Sequence, residues 1–313
     1  MTELFFAQIS DIHISSLGDH HDMLSGHSAD FLDQILAELG SIEDLDFVLF
    51  TGDLFDTADH GEFQRFHEAI ERFSKPYYVI PGNHDRRPID RTEGLTRRHF
   101  AQHFNPQIAA RPISGDAQLG YWSRALSPKV RLIGLDSVKD ADWGGLVDAI
   151  QLDWLKSELD QSEEQLVIVA IHHPLHPLAP IDADPNWRNF VCDNGAEVLA
   201  VLDACPRVKL VLTGHHHLTK VDWLGSRLHL ACPSLAIYPC AYRTFRLSRQ
   251  SLGEPEWQLA WQSHDATDGA TIALAREVMA RTWQGHGFAA DFVEELASIA
   301  LGSEFDRNGT AVL

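Results

Sequence analysis

The chain has 313 residues, 44% of them hydrophobic, and 45 acidic against 25 basic side chains give it a formal charge of −20 at pH 7. This length and composition predict one large globular domain with an appendage, and the negative charge disfavours non-specific binding to DNA or RNA. No stretch is apolar for long enough to cross a bilayer, and the N-terminus lacks the basic region of a signal peptide. We therefore expect a cytoplasmic protein without membrane contact, with four reduced cysteines: Cys192, Cys205, Cys232 and Cys240.

Strand and helix patterns alternate through the first two thirds of the chain. Short apolar runs predict strands, and apolar residues three and four positions apart predict helices. In chain order the sequence predicts a strand at 4–9, a helix at 28–39, a strand at 46–50, a helix at 61–73, a strand at 77–80, a helix at 92–104, strands at 120–124 and 130–135, a helix at 148–159, a strand at 165–171, a helix at 196–204 and a strand at 208–212.

Consecutive strands follow at 221–224, 227–231, 242–247 and 257–261, a pattern typical of an antiparallel meander. Together these elements predict an α/β fold, a four-layer α-β-β-α sandwich of two packed mixed sheets flanked by helices. We expect residues 1–265 to form the main domain. Two amphipathic helices in residues 266–313 would cap the core or mediate homo-oligomerisation, and disorder is expected from residue 302 onward.

Five of the predicted strands are followed directly by residues that bind metal ions. Strand exits on one edge of a sheet lie close in space, so these side chains can converge on one site. Seven residues in these segments are candidate ligands: Asp11, His13, Asp53, Asn83, His172, His215 and His217. Seven ligands exceed the needs of one four-coordinate zinc but suit two metals that share a carboxylate. The ligand types suit Fe, Mn, Zn and Co alike. The segments are Asp11-Ile12-His13, Gly52-Asp53, Gly82-Asn83-His84-Asp85, His172-His173 and Gly214-His215-His216-His217.

Each segment alone has a simpler explanation. An Asp after a strand is usually a turn or N-cap residue, and Gly-Asn-His-Asp could be only a tight turn. Their joint occurrence favours a metal site, because structural caps have no reason to supply a complete set of ligands.

Taken together, the five segments resemble the signature of calcineurin-like metallophosphoesterases, in order and with every ligand present. The resemblance covers roughly the first 217 residues. It implies one metal ion bound by Asp11, His13, Asp53 and His217, and a second bound by Asp53, Asn83, His172 and His215, with Asp53 as the bridge. It also implies hydrolysis of a phosphoester by in-line attack of a hydroxide that bridges the two metals.

Residues beside the ligands are candidates for catalysis and substrate binding. His84 is expected to stabilise developing charge or to protonate the leaving alkoxide, with Asp85 holding its tautomer. Arg86 could contact a phosphate or ribose, although arginines in a loop are more often just solvated. His173 and His216 could either orient a metal ligand or touch the substrate.

Further segments narrow the resemblance to class III cyclic nucleotide and glycerophosphodiester phosphodiesterases: Leu135-Asp136-Ser137, Gly145-Leu146 and Gln151-Leu152-x-Trp154-Leu155. Asp56 stands where purple acid phosphatases carry tyrosine, and His84 where lipid-A pathway hydrolases carry arginine. The predicted partner is therefore a small phosphodiester, a cyclic nucleotide first and a glycerophosphodiester next. Its choice is expected to depend on the loops at 14–26, 89–96, 139–144 and 174–189.

Three alternatives stay open. One is a broad-specificity phosphomonoesterase or phosphonate esterase. The second is a nuclease of the DNA-repair type, whose Gly-Asp-Leu-Phe-Asp is matched at 52–56 but which the charge of −20 disfavours. The third is a metal-free interaction scaffold, which the complete ligand set disfavours.

Overall fold

In a computed structural model that describes residues 2–86, 94–104, 120–139, 142–249 and 256–313, the strands form two six-stranded mixed sheets. The first sheet contains β1 (Thr2–Ile9), β2 (Phe47–Phe50), β3 (Tyr77–Val79), β10 (Ala241–Ser248), β11 (Gln258–Asp265) and β12 (Asn308–Val312), in the order β12-β11-β10-β1-β2-β3. The second contains β4 (Trp122–Ala125), β5 (Val130–Gly134), β6 (Leu166–Ala170), β7 (Val208–Thr213), β8 (Lys220–Leu224) and β9 (Arg227–Ala231), in the order β4-β5-β6-β7-β9-β8.

Helices lie on the outer faces of both sheets. Within the described ranges they are α1 (Ser28–Ser41), α2 (His60–Glu71), α3 (Arg97–Phe104), α4 (Ala149–Gln161), α5 (Gly195–Asp203), α6 (Gly269–Gly285), α7 (Ala290–Leu301) and α8 (Glu304–Arg307). Short 3₁₀ helices occur at Asn83–Asp85, Pro180–Ala183 and Pro185–Phe190.

Alternation of side chains along the strands builds the four layers. On β1, Leu4 and Phe6 point between the sheets, whereas Phe5, Ala7 and Ile9 pack on the helices outside the first sheet. The second sheet is covered by apolar residues of α4 and α5. Fully burying one leucine or phenylalanine contributes about 1.5–3 kcal/mol. Two mixed sheets that pack on each other, with helices on both outer faces, confirm the predicted α-β-β-α sandwich.

Parallel pairing places the exits of the central strands at a common edge. β1 pairs in parallel with β2, and β2 with β3, while β6 pairs in parallel with β5 and β7. Ile9 lies opposite Phe50 in the first sheet, and Ala170 opposite Leu212 in the second. The segments that follow these residues are the ones rich in Asp, Asn and His.

The C-terminal segment returns to the first sheet. The expectation of disorder from residue 302 is wrong, because α8 begins after the Ser303 cap and β12 pairs antiparallel with β11, with Gln258 opposite Val312. α6 and α7 occupy the predicted helical positions, and they bury Ala275, Met279, Ala297 and Ala300 in the outer core of the first sheet, among other residues. β12 is a short edge strand whose side chains are all exposed or half-buried. Its sequence has no apolar run of the kind that marks the central strands, so it was not predicted.

One predicted helix begins later than expected. The helix expected from residue 92 begins at Arg97, after Thr96, whose hydroxyl accepts a hydrogen bond from the His99 amide; residues 92 and 93 lie outside the described residues. Among the described residues, no helix is both long enough and apolar enough to span a membrane.

Candidate metal centre

Five ligand positions have an unusual backbone conformation. Asp11, His13, Asp53, His215 and His217 have φ angles of 53°, 48°, 53°, 66° and 58°. This left-handed region costs a residue other than glycine about 1–3 kcal/mol and is concentrated at functional sites, where the surrounding structure enforces it. The strand exits thus carry strain at the residues that the sequence marks as ligands.

Hydrogen bonds between the exits enforce these turns. The amides of Asp11 and His13 donate to the carbonyls of Gly52 and Asp53, each at 3.0 Å. On the second sheet, the Gly214 amide donates to the His172 carbonyl at 3.0 Å, and the His215 amide donates to the Asp11 carboxylate, also at 3.0 Å. The last bond joins the two sheets at the site.

The first ligand cluster combines Asp11, His13, Asp53 and His217. Nε2 of His217 lies 3.3 Å from Asp11 Oδ1 and 3.4 Å from His13 Nε2, and His13 Nε2 lies 3.8 Å from Asp53 Oδ2. Ligand atoms held about 2.0–2.2 Å from one metal ion lie about 2.8–3.6 Å apart in tetrahedral or octahedral geometry. The first two distances fall in this range and the third lies just above it, so the donor set fits a metal ion.

The second cluster combines Asp53, Asn83, His172 and His215. Nε2 of His172 lies 3.2 Å from both Asp53 Oδ2 and Asn83 Oδ1, while its Nδ1 donates to the Thr51 carbonyl at 2.7 Å. Ligand atoms of Asp53, His172 and His215 lie within 4.8 Å of one another. The Thr51 carbonyl fixes the tautomer that leaves Nε2 of His172 free for a metal ion.

Asp53 lies between the two clusters. Its Oδ1 accepts the His84 amide at 2.8 Å, and its Oδ2 faces both His13 and His172. One oxygen is therefore held by the protein while the other is shared, the position that a bridging ligand requires. The structure brings together all seven residues that the sequence marked as ligands.

Glycines beside the ligands allow this close packing. A Cβ on Gly82 would lie 2.8 Å from Asp53 Cγ and closer still to Asp53 Oδ1 and the Asp53 amide nitrogen. A Cβ on Gly214 would lie 2.6 Å from Asp11 Oδ2 and would overlap the Ser10 hydroxyl. Any side chain at either position would displace a ligand.

The buried carboxylate and imidazoles of the site shift one another's pKa values. Burial disfavours the Asp53 carboxylate, but His172 and His84 outweigh it and hold the pKa of Asp53 well below its usual value. Burial also disfavours a cationic His172, but Asp53 outweighs it and raises the pKa of His172 to about 9. Burial and nearby imidazoles hold the pKa values of His13 and His215 well below the usual value, so both are neutral, the form that binds metal.

His84 borders the first cluster. Its ring lies 4.7 Å from that of His13, and its Nδ1 donates to the Asp56 carbonyl at 2.7 Å. The prediction that Asp85 holds the His84 tautomer is wrong. The Asp85 carboxylate instead accepts the amides of Leu54, Phe55 and Gly82 at 2.7, 3.1 and 2.9 Å, because the 3₁₀ turn directs it back into the preceding loop.

Asp56 is the partner of His84 that sequence reasoning missed. Besides the carbonyl bond, its carboxylate lies 3.9 Å from His84 Nδ1 and 3.2 Å from Nε2 of His20. Asp56 ends the Gly-Asp-Leu-Phe-Asp segment at 52–56 that was noted in the sequence. The spacing of that segment alone did not show that the chain turns back toward His84.

The three candidate substrate contacts are buried. The Arg86 guanidinium pairs with the Asp136 carboxylate and donates to the Val138 carbonyl. Nε2 of His216 lies 2.6 Å from Asp182. All three residues, His173 included, are at most 6% exposed, and their observed contacts are with protein groups that hold the surrounding loops.

His173 links two of these loops. Burial and the neighbouring His172 lower the pKa of His173 to about 3, so the ring is neutral. Its Nε2 donates to the Trp143 carbonyl at 3.0 Å, and its Nδ1 lies 2.8 Å from the Ser137 hydroxyl. A carbonyl can only accept, so Nε2 carries the single proton of the neutral ring. Nδ1 therefore has no proton and accepts a hydrogen bond from the Ser137 hydroxyl.

An α-β-β-α sandwich with Asp, Asn and His ligands at the exits of both sheets is the framework of a metal-dependent hydrolase. A family model described as calcineurin-like phosphoesterase matches residues 6–218, and the chain belongs to this family. The predicted family is thereby confirmed, and with it the class of metal-dependent phosphoester hydrolases.

Relatives of this chain include several bacterial phosphodiesterases. A 3',5'-cyclic-nucleotide phosphodiesterase from Nostoc sp. is 31% identical over 217 residues, 67% of this chain and 70% of that protein. The 3',5'-cyclic adenosine monophosphate phosphodiesterase of Escherichia coli is 28% identical over 74% of this chain and 75% of that protein. A probable glycerophosphodiester phosphodiesterase from Arcobacter nitrofigilis is 31% identical over 55% of this chain and 57% of that protein.

Among solved structures, a dimetal phosphatase from Danio rerio has a TM-score of 0.68 at 16% identity, over 86% of this chain and 98% of that chain. This likeness shows the shared fold.

Proposed function

We propose that this protein is a dinuclear metal-dependent phosphodiesterase that hydrolyses a small phosphodiester, a 3',5'-cyclic nucleotide first and a glycerophosphodiester second. The observation that carries the proposal is the position of Asp53 Oδ2 between His13 and His172, with His84 beside the same carboxylate. The names of the relatives from Nostoc sp. and Arcobacter nitrofigilis support these two substrate classes.

Each ligand has a proposed place. Asp11, His13, Asp53 and His217 would hold one ion, and Asp53, Asn83, His172 and His215 the other. When bound, the two ions would supply an activated water for in-line attack and neutralise charge on the phosphate. The ligand types suit Fe, Mn, Zn and Co alike.

His84 is the proposed general acid. Its Nδ1–H is donated to the Asp56 carbonyl, so Nε2 is the ring nitrogen available to a substrate. In the doubly protonated ring, Nε2 can transfer its proton to the leaving alkoxide as the bond from phosphorus to that oxygen breaks. The hydrogen bond to the Asp56 carbonyl also fixes the orientation of the His84 ring, so that Nε2 presents its proton in one direction.

The cellular setting follows the sequence expectation. We propose a cytoplasmic enzyme, supported by four free and buried cysteines. A net charge of −20 supports a small substrate over a nucleic-acid polymer.

A kinetic panel tests the proposal. It compares cyclic nucleotides, glycerophosphodiesters, aryl phosphate mono- and diesters, phosphonates and single-stranded DNA, each with Mn, Co, Zn and Fe, alongside metal analysis of the purified protein. We expect about two metal ions per chain and the highest kcat/KM for a small diester. A higher kcat/KM for monoesters than for every diester, or for DNA than for every small diester, would overturn the proposed substrate class.

A further inference from the structure

Trp143 is an exposed aromatic residue beside the proposed general acid. Its side chain is 56% exposed, the largest value among the eight tryptophans of the chain. Its ring centroid lies 4.6 Å from that of His84, at an interplanar angle of 52°. A single exposed apolar side chain is ordinary on a protein surface, but this one is in ring contact with the candidate acid.

The backbone that carries Trp143 is anchored on both sides. Its carbonyl accepts the 3.0 Å bond from His173, and the preceding Asp142 pairs with Lys139 at 2.8 Å. Lys139 also pairs with Asp193 at 2.7 Å, which ties the segment to the loop before α5. The exposed ring is therefore presented from a fixed position.

Packing behind the ring strengthens this anchor. A Cβ on Gly145 would lie 2.5 to 2.8 Å from three atoms of the His173 side chain, so the chain passes directly over that imidazole. Gly145 also forms isolated bridges with Val138 and Cys192. His173 packs against this segment and directly follows His172 of the second ligand cluster in the chain. It therefore links the segment that bears Trp143 to that cluster.

We propose that Trp143 is a specificity-determining residue that stacks on the planar base of a nucleotide substrate, which makes nucleoside phosphodiesters the preferred substrate class. The inference rests on the proposed phosphodiesterase function and deepens it. In a 3',5'-cyclic nucleotide, one ribose carries both the base and the scissile phosphodiester, so a base stacked on Trp143 contributes equally to binding of the substrate and of the transition state. Water adds its oxygen to phosphorus and loses a proton to solvent, while the bond from phosphorus to the leaving oxygen breaks and its electron pair stays on that oxygen. His84 donates its proton to the leaving oxygen, and a proton from solvent restores the ring. A glycerophosphodiester has no planar ring to stack.

A role in positioning His84 is the competing explanation for the same ring contact. Stacking on the base would act on binding, so its loss raises KM for nucleotides alone. Positioning of the acid would act on every poor leaving group, so its loss lowers kcat for all such diesters. The split between KM and kcat across two substrates separates the two roles.

The test compares Trp143→Ala and Trp143→Phe with the wild type on cyclic AMP and on glycerophosphoglycerol, a diester without a ring or a cationic group. Stacking of one base on an aromatic side chain corresponds to a change of about 5- to 150-fold in affinity. We expect Trp143→Ala to raise KM for cyclic AMP about tenfold or more, with kcat within twofold, and Trp143→Phe to retain most of the affinity. Glycerophosphoglycerol kinetics should stay within twofold for both variants.

Trp223→Phe is the matched control, because Trp223 is 47% exposed on β8 and lies outside the ligand clusters. A calorimetric titration supplies a readout without turnover: Trp143→Ala should weaken binding of adenosine 5'-monophosphate about tenfold and leave glycerol 3-phosphate unaffected. An equal fall in kcat for both diesters, or an unchanged affinity for both adenine nucleotides, would overturn the inference.

The two proposals can fail separately. If the wild type hydrolyses glycerophosphoglycerol but neither binds nor hydrolyses adenine nucleotides, the phosphodiesterase stands and the stacking role falls. If adenosine 5'-monophosphate binding depends on Trp143 but no diester is hydrolysed, the stacking role stands and the proposed function falls.

Discussion

Replacing Gly82 with alanine should disable the metal centre without unfolding the protein. The φ angle of Gly82 is −105°, which any residue adopts, so the effect comes from the added Cβ alone. That atom would lie 2.8 Å from Asp53 Cγ, and ordinary contact begins at about 3.4 Å, so Asp53 must move by at least about 0.6 Å. The Asp53 amide nitrogen is closer still, so rotation of the side chain cannot relieve the overlap.

A displacement of this size exceeds the tolerance of a catalytic site, which is about 0.5 Å. Misplacement by about 1 Å can cost about 100-fold in rate. The shift would also disturb the Asp53 bond to the His84 amide and the bond from Gly82 to Asp85. We therefore expect kcat/KM to fall by about 100-fold or more, with fewer than two metal ions retained per chain.

Gly40→Ala is the matched control. Its Cβ would meet the Phe73 ring at 3.7 Å, an ordinary contact, and within α1 the change should stabilise the helix by about 0.5–1 kcal/mol. Metal content, melting temperature and kcat/KM on a small diester are measured for both variants. A Gly82→Ala protein with the metal content and kcat/KM of the wild type would refute the reasoning.

Four more predictions probe separate parts of the structure. His84→Ala should keep its metals but lose about 10²–10⁴-fold in kcat on diesters with alkoxide leaving groups and much less on aryl diesters; equal losses on both would contradict a general acid. Because the pKa of His172 is raised to about 9, metal uptake at pH 7 should release about one proton from this ring. Calorimetry in buffers of different ionisation enthalpy measures that release, and its absence would contradict the His172–Asp53 pair. The same raised pKa stabilises the metal-free protein fully below about pH 6.5, so its melting temperature should fall as the pH rises toward 9. Deletion of residues 303–313 should lower the melting temperature by several degrees in thermal unfolding, because Trp261 loses its cover, whereas Val312→Ala, at a 53% exposed position, should change it little.

The sequence predicted the central strands and the convergence of the seven candidate ligands, because both depend on local pattern. Buried runs such as 47–50 and 166–171 are apolar throughout, and the polar residues after them stand out against that background. The parallel pairing of such strands then brings their exits together without further information.

Contacts that depend on the path of loops were not predictable. The partner of His84 proved to be Asp56, from another strand exit, and the buried pair of Arg86 with Asp136 joins residues 50 positions apart. The left-handed conformation at Asp11 and His215 also had no signal, because neither is glycine. β12 was missed because an exposed edge strand carries no apolar run.

Pairing of β1 with β10 sets a limit on how this enzyme can be divided. The family model ends at residue 218, yet β10 lies beyond it and pairs antiparallel with β1, from Thr2 opposite Ser248 to Gln8 opposite Arg243, with a register shift between Thr2 and Leu4. Ser234, also beyond residue 218, donates to the Asp11 carbonyl at 2.7 Å. A fragment that ended at 218 would expose β1 as an unpaired edge, prone to aggregation, and would release the first ligand from its support. We therefore expect that the segment with the seven candidate ligands does not fold alone, and that it needs the meander that follows it to be transplanted.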